Sequence, residues 1–239
     1  MRLLLVSTST TWGTGYLDHC ESAVRRLFTG ARRIAFVPYA LADRDAYAAK
    51  ARKRFAAMGL DLESVHTGGS PLETIERADG VFVGGGNTFR LLTELHDHGL
   101  VETIRHRARG GMPYMGTSAG SNVAAPTLKT TNDMPIVEPP SFGALGLVPF
   151  QINPHYVDPD PSSRHMGETR DLRLAEFLEE NDVPVVALRE GAMLSLEGAV
   201  LHLLGSSGGK LFRRGAQPAE LGDGADLSGL LTPARAPRG

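Results

Sequence analysis

Short unbroken apolar blocks alternate along this chain with longer segments in which apolar residues return every third or fourth position. The first block, 3–6, reads as a parallel strand, because a strand covered on both faces has no polar side to alternate with. Residues 7–15 form a polar, glycine-bearing loop at its carboxyl end. Over 16–28, Leu17, Cys20, Val24 and Leu27 recur at helical spacing. The pattern then predicts a strand over 33–39, a helix over 45–58 and a strand over 60–65. Ser70-Pro71-Leu72-Glu73 marks the next helix start, with serine as the cap, proline in the first position and glutamate closing a capping box. A strand at 80–83 runs into Gly84-Gly85-Gly86-Asn87, and two short helices, 88–96 and 101–109, are split at Gly99.

A further apolar run ends at Gly116, and a small-residue segment after it opens a helix. Beyond Ala125 the alternation weakens into a proline-bearing stretch that lasts to Val148. It resumes with a strand at 150–155, a helix at 172–178, a strand at 183–188 and a hairpin of 193–196 with 199–204 around Glu197-Gly198. From Gly215 on, Gly, Ala and Pro dominate, so 215–239 is expected to be a loosely ordered tail. No repeat and no linker interrupts 1–214. The reading is one α/β domain in three layers, a mostly parallel sheet with helices on both faces. Sites in such folds form outside the carboxyl ends of the strands. That edge should gather 7–15, 84–87, Ser118, His155 and the turn after Leu188.

Composition narrows the partners. The net charge is −2 with both signs interspersed, which offers no basic surface to nucleic acid or to an anionic membrane. Cys20 is the only cysteine, so neither a disulfide framework nor a thiolate metal cluster is expected, and a reducing cytoplasm fits. The apolar run at the start is too short for a secretion signal, and no stretch is long enough to span a membrane.

The candidate chemistry centres on Gly116-Thr117-Ser118-Ala119-Gly120, the G-x-S-x-G pattern of a nucleophile elbow. A strand there must turn sharply into a helix, and glycines at 116 and 120 remove the Cβ atoms that would crowd the turn. Ser118 would stand clear of the backbone, and the N–H of Ala119 would face an oxyanion. The plainer alternative makes Ser118 only a helix cap. A serine nucleophile needs a base. Of the eight histidines, His96 and His98 lie two apart on a helix and cannot share a metal, and His19, His66, His106, His165 and His202 sit in ordinary contexts. His155 follows an apolar strand and Asn153-Pro154 at the functional edge; its plainer reading is a turn histidine satisfied by backbone. Two acids compete to orient it: Glu190, after the strand 183–188, and Asp133, in the loop after the elbow helix. Gly84-Gly85-Gly86 lacks the spacing of a dinucleotide loop, but its bare N–H groups offer a second oxyanion donor.

Five segments now carry a resemblance: Gly84-Gly85-Gly86-Asn87-Thr88-Phe89, Gly116-Thr117-Ser118-Ala119-Gly120, Thr130-Thr131-Asn132-Asp133-Met134-Pro135-Ile136-Val137, Gln151-Ile152-Asn153-Pro154-His155 and Gly167-Glu168-Thr169-Arg170. In this order, over residues 3 to about 212, the chain resembles the peptidase E family of α-aspartyl dipeptidases. The resemblance implies a class I glutamine amidotransferase-like fold with serine in place of cysteine. It implies cleavage of dipeptides with N-terminal aspartate in the cytoplasm, with no cofactor and no metal. By the same resemblance Ser118 is the nucleophile, His155 the general base, and either Glu190 or Asp133 the orienting acid; Glu190 is favoured because it follows a rigid strand. Gly86 and Ala119 would hold the oxyanion. Arg170, Asn87 and Asp133 would bind substrate, Arg170 taking the side-chain carboxylate and Asp133 the ammonium. Arg170 also reads as a helix-start arginine paired with Glu168 or Asp171. The stretch 156–166, with Pro159 and Pro161, reads as a lid or as a passive loop. The expected partner is a small dipeptide, bound by a monomer or homodimer. Two alternatives stand beside this reading. One is a cyanophycinase-like serine hydrolase of aspartyl-arginine units. The other is a non-catalytic amidotransferase-like binding module, which should have lost Ser118, His155 or the acids.

Overall fold

The structure, a computed structural model, describes residues 1–160, 162, 164 and 167–232. Five parallel strands, β1 (Arg2–Val6), β2 (Ile34–Val37), β3 (Leu62–Ser64), β4 (Gly80–Val83) and β5 (Tyr114–Thr117), make most of a seven-stranded sheet. The hairpin β8 (Met193–Glu197) and β9 (Val200–Leu204) closes one edge antiparallel, in the order β3-β2-β4-β5-β1-β8-β9.

The unbroken apolar blocks have the cause expected of them. In β1, Leu4 and Val6 pack with Val24, Leu27 and Phe55, whereas Leu3 and Leu5 pack with Leu91, Leu92 and Ile104. Successive side chains leave a strand on opposite faces, so a strand with helices on both sides must be apolar throughout. One face is covered by α1 (Glu21–Leu27) and α2 (Arg44–Ala57). The other is covered by α3 (Pro71–Glu76), α4 (Thr88–Asp97) and α5 (Leu100–Arg109). Ser70 caps α3 by accepting the Glu73 N–H, as its sequence predicts. Among the described residues no helix is long and apolar enough to cross a membrane.

The structure departs from the sequence reading in three places. Strands β6 (Gln151–Tyr156) and β7 (Val185–Arg189) do not join the main sheet. They pair in parallel, joined through α7 (Arg170–Glu180), and β10 (Gly209–Phe212) and β11 (Ala219–Leu221) extend them antiparallel into a second sheet, β11-β10-β7-β6. Hydropathy records that a strand is buried, not which edge it pairs with, so the partition was invisible. Second, the helix expected over 16–28 begins only at Glu21. Leu17 takes φ 61° and donates its N–H to Ser9, while Asp18 accepts the N–H of Gly15, so 15–18 folds back over the preceding loop. Third, the tail is ordered as far as Thr232: β11 pairs with β10, and Leu221, Leu227 and Leu230 are buried. Three well-spaced leucines outweigh the glycines and prolines between them. Residues 233–239 lie outside the described ones.

Candidate active site

The elbow is built by close approach. A Cβ at Gly116 would lie 2.4 Å from the carbonyl oxygen of Gly120, and one at Gly120 would lie 2.1 Å from that of Val83. Neither position can hold a side chain without moving backbone. Between them Ser118 adopts φ 51° and ψ −112°, a conformation that a non-glycine residue holds at a cost on the order of 1–3 kcal/mol. The strain is held by β1. The Ser118 N–H donates to the Val6 carbonyl at 3.0 Å, and Ser121, in the short helix α6 (Ala119–Asn122), donates its hydroxyl to Val6 at 2.7 Å and to Gly116 at 2.9 Å.

His155 reaches Ser118 from the second sheet. It sits where the β6–β7 register shifts, between Asn153 and Tyr156, and takes φ 53°. Its Nε2 lies 2.9 Å from Ser118 Oγ, and its Nδ1 lies 2.8 Å from Glu190 Oε1. A carboxylate accepts only, so Nδ1 carries the proton and Nε2 is left to accept the serine hydroxyl. The imidazole and Glu190 side chains are 37% and 56% exposed, so the row opens to solvent.

Two supports hold the histidine backbone. Ser7, buried at the end of β1, accepts the His155 N–H at 2.9 Å and donates to the Leu188 carbonyl at 2.9 Å, stitching the two sheets together. From the other side the Thr130–Asp133 loop is laced to β6. Asn122 and Thr130 donate to the Ile152 carbonyl, Asn153 donates to the Thr130 carbonyl, and Asn132 donates to that of Pro154. Sequence reasoning passed over Ser7 and Asn132. Their only signals were a serine ending the first strand and an asparagine within a matched motif.

Asp133 does not orient the histidine. Its Oδ2 accepts the N–H of Thr88 at 2.7 Å and the Thr88 hydroxyl at 2.6 Å, so it serves the first turn of α4. Asn87 is likewise occupied: Oδ1 caps α4 at the Arg90 N–H, and Nδ2 donates to the Met134 carbonyl. Helix starts need such acceptors, and the motif's spacing alone did not distinguish that use from substrate binding.

The glycine loop leaves one donor. Gly84 N–H goes to Val37, Gly85 N–H to the Tyr47 hydroxyl at 2.8 Å, and Asn87 N–H to Ala40. Among the described residues, the N–H groups of Gly86 and Ala119 have no acceptor. Gly86 holds φ 138°, and a Cβ there would sit 2.5 Å from the Ala40 carbonyl oxygen, so glycine is required. Burial pushes the Tyr47 hydroxyl above its usual pKa, which keeps it a neutral acceptor for Gly85.

Ser118, His155, Gly85 and Gly86 line a cavity of about 630 Å³ whose walls are Thr8, Ser9, Tyr16 and one face of α2, including Ala46, Tyr47 and Lys50. The edge foreseen from the alternation of strands and helices thus assembles, although two sheets rather than one supply it. Arg170 lines a neighbouring depression of about 330 Å³ instead, with Asp158, Glu168 and Arg173. The partners expected for it pair elsewhere: Glu168 with Arg173 at 3.2 Å, and Asp171 with Tyr156 and Lys210. Burial, helped by repulsion from Arg173, lowers the Arg170 pKa, and Asp133 opposes the shift from close by. Of the stretch 156–166, residues 161, 163, 165 and 166 lie outside the described ones. Asp158 within it is clamped by Arg189 at 2.6 and 2.9 Å, so this part of the loop is anchored.

Known proteins share this sequence and architecture. A Streptomyces coelicolor protein named "Peptidase E" is 60% identical over 231 residues, spanning 97% of this chain and 95% of its own. A Drosophila melanogaster protein named "Probable alpha-aspartyl dipeptidase" is 47% identical over 232 residues, spanning 96% and 97%. The crystal structure of a peptidase from an acI-B1 Actinobacterium superposes with a TM-score of 0.69 at 16% identity, over 95% of this chain and 96% of that one, a likeness of fold. Residues 3–204 match the model of peptidase family S51, and the chain belongs to that family.

Proposed function

We propose that the protein is a serine-type aspartyl dipeptidase that releases the N-terminal aspartate of Asp-Xaa dipeptides through an acyl-enzyme. The observation that carries this reading is the row Ser118 Oγ–His155 Nε2, His155 Nδ1–Glu190 Oε1, at 2.9 and 2.8 Å, in a chain of family S51. Ser118 attacks the aspartyl carbonyl carbon while Nε2 takes its proton, and Glu190 steadies the imidazolium. The developing oxyanion is held by the N–H groups of Gly86 and Ala119, each worth roughly 3 kcal/mol in the transition state. The imidazolium then protonates the departing amine. Water, deprotonated by the same nitrogen, attacks the acyl-enzyme and releases aspartate and free Ser118.

Aspartate selectivity needs a fork for a carboxylate. Arg170 is the residue for it: it is partly buried, and its acidic neighbours pair with other cations. Asp133, close enough to act on Arg170, serves the substrate ammonium while capping α4. The cavity beside His155 then takes the leaving residue. A lone buried thiol, Cys20, suits a cytoplasmic setting.

Hydrolysis of Asp-Leu, Glu-Leu and Ala-Leu by the wild type and Ser118→Ala tests the reading. Asp-Leu alone should be cleaved, and the serine variant should be inert although folded. A folded wild type that leaves Asp-Leu intact overturns it.

A further inference from the structure

Six side chains that take no part in the chemistry above form one cluster next to the residues of the site in the chain. Arg189 donates to both oxygens of Asp158, at 2.6 and 2.9 Å, and to Glu220 at 2.9 Å. Lys210, on β10, lies 2.9 Å from Asp158 Oδ1, 3.6 Å from Glu220 and 3.7 Å from Asp171, and donates to the Tyr156 hydroxyl at 3.0 Å. That hydroxyl in turn donates to Asp171 Oδ1. Both cations also lie over the Tyr156 ring, Arg189 at 5.8 Å and Lys210 at 5.3 Å from its centroid. The Arg189 and Lys210 side chains are largely buried, whereas Asp158 and Glu220 are open to solvent, so the cluster acts through its fixed geometry more than through the strength of any one pair. The charges are firmly held: the hydrogen bond from Arg189 draws the Asp158 carboxyl well below its usual range, and the hydrogen bonds to Tyr156 and Asp158 raise Lys210.

The position of the cluster in the chain gives it meaning. Tyr156 follows His155, Arg189 precedes Glu190, and Asp171 follows Arg170. Tyr156 and Arg189 are paired across β6 and β7. Adjacent residues share a peptide unit, so anchoring the side chains of Tyr156 and Arg189 holds the backbone that carries His155, in its φ 53° bulge, and Glu190, in the turn after β7. Anchoring Asp171 in the same way sets the first turn of α7, where Arg170 begins.

We propose that Arg189, Asp158, Lys210, Tyr156 and Asp171 are positioning residues, a single network that fixes His155, Glu190 and Arg170 relative to one another. The inference rests on the hydrolase reading of the Ser118–His155–Glu190 row. None of the five lines the cavity that holds Ser118 and His155. Lys210 is the centre, because it reaches the carboxylates of both arms: Asp158, with Arg189, leads to Glu190, while Asp171, with Tyr156, leads to Arg170.

The test uses the full chain and Tyr156→Phe, Lys210→Met and Lys210→Arg. Tyr156→Phe keeps the ring against Phe212 and removes the hydroxyl that links Lys210 to Asp171. It should raise KM for Asp-Leu about tenfold and leave kcat within about twofold, since small displacements at a distance cost up to about 100-fold. Lys210→Met should disturb both arms and lower kcat/KM about 100-fold, and Lys210→Arg should recover about tenfold of that. A purely structural role gives a different result: less folded protein, with KM unchanged and kcat per folded molecule at the wild-type value. That outcome overturns the proposal, as does a folded set with kcat and KM all within about twofold of wild type. If Lys210→Met does not fold, Tyr156→Phe decides, and an unchanged KM counts against the network. The rate at which a fluorophosphonate labels Ser118 reads the histidine arm without any dipeptide, and Lys210→Met should slow it about tenfold. A wild type that labels but leaves Asp-Leu intact sinks the substrate reading alone. A wild type that neither labels nor cleaves removes the proposal as well.

Discussion

The hydroxyl of Ser7 accepts the backbone N–H of His155 at 2.9 Å. Because it also donates to Leu188, one buried hydroxyl from the first strand holds the histidine strand and its neighbour at a set distance from the elbow. Replacing Ser7 by alanine takes the partner from a half-buried N–H and from a buried carbonyl, which costs about 1–3 kcal/mol. The melting temperature should fall accordingly. One of the two supports that hold the φ of 53° at His155 is then gone, and kcat should drop about tenfold with KM nearly unchanged. Calorimetry and steady-state kinetics on Asp-Leu check the two effects together; an alanine variant with wild-type kcat would show that Ser7 is a core serine and nothing more.

The two acids that compete in the sequence should separate by substitution. Glu190 sits on His155 Nδ1, so Glu190→Gln should lower kcat about 100-fold and leave KM within about twofold. Asp133 serves Thr88 and acts on Arg170, so Asp133→Asn should raise KM, while its amide oxygen still accepts at Thr88 and leaves the melting temperature close to the wild-type value. The pattern reversed, with Asp133→Asn the kcat variant, would mean that the histidine changes partner in the working enzyme.

How much of this was readable in the chain follows from which interactions are local. The elbow was legible, because Gly116 and Gly120 are demanded by contacts within a few residues of Ser118 and with the adjacent strand. The cap at Ser70 and the α4 and α5 periodicity were local too. His155 stood out by elimination, but its partner was undecided, since Glu190 follows a strand, Asp133 lies in the loop after the elbow helix, and an acid in either place can face the histidine. Only the β6–β7 pairing brings one of them to Nδ1. Ser7 was illegible for the same reason: its two partners lie more than a hundred residues away. The tail was misread because composition counts glycines and prolines, whereas burial depends on Leu221, Leu227 and Leu230.

Cys20 supplies a chemical control. It is buried, and burial pushes its thiol up to about 12. At pH 8 about one molecule in 10⁴ then carries the reactive thiolate. A disulfide reagent should leave the native protein unmodified over minutes and titrate one thiol after unfolding. Cys20→Ala should retain activity per folded molecule within about twofold, because the nucleophile proposed above, Ser118, lies on a different loop. Rapid native labelling at Cys20, or inactivation that follows it, would contradict the burial.

Acid should unpick the Arg189–Asp158 clamp in a defined direction. The hydrogen bond from Arg189 is the main cause that lowers the Asp158 pKa, with Lys210 adding and burial opposing. A carboxyl whose folded pKa lies below its unfolded value of about 3.9 stabilises the fold fully above that value. The contribution is lost as pH falls from there toward the depressed folded value. Asp158→Asn removes it at every pH. The wild type should therefore melt above Asp158→Asn at pH 7, and the gap should narrow steadily between pH 5 and pH 3. Other carboxylates titrate in the same window, but they do so in both proteins, so the difference isolates residue 158. The gap should be modest, because the Asp158 side chain is 43% exposed and solvent screens the pair. Melting curves of the two proteins at pH 7, 5, 4 and 3 measure it. A gap that stays constant down to pH 3 would mean that Asp158 contributes through its shape and hydrogen bonds rather than through its charge, and that the clamp survives protonation.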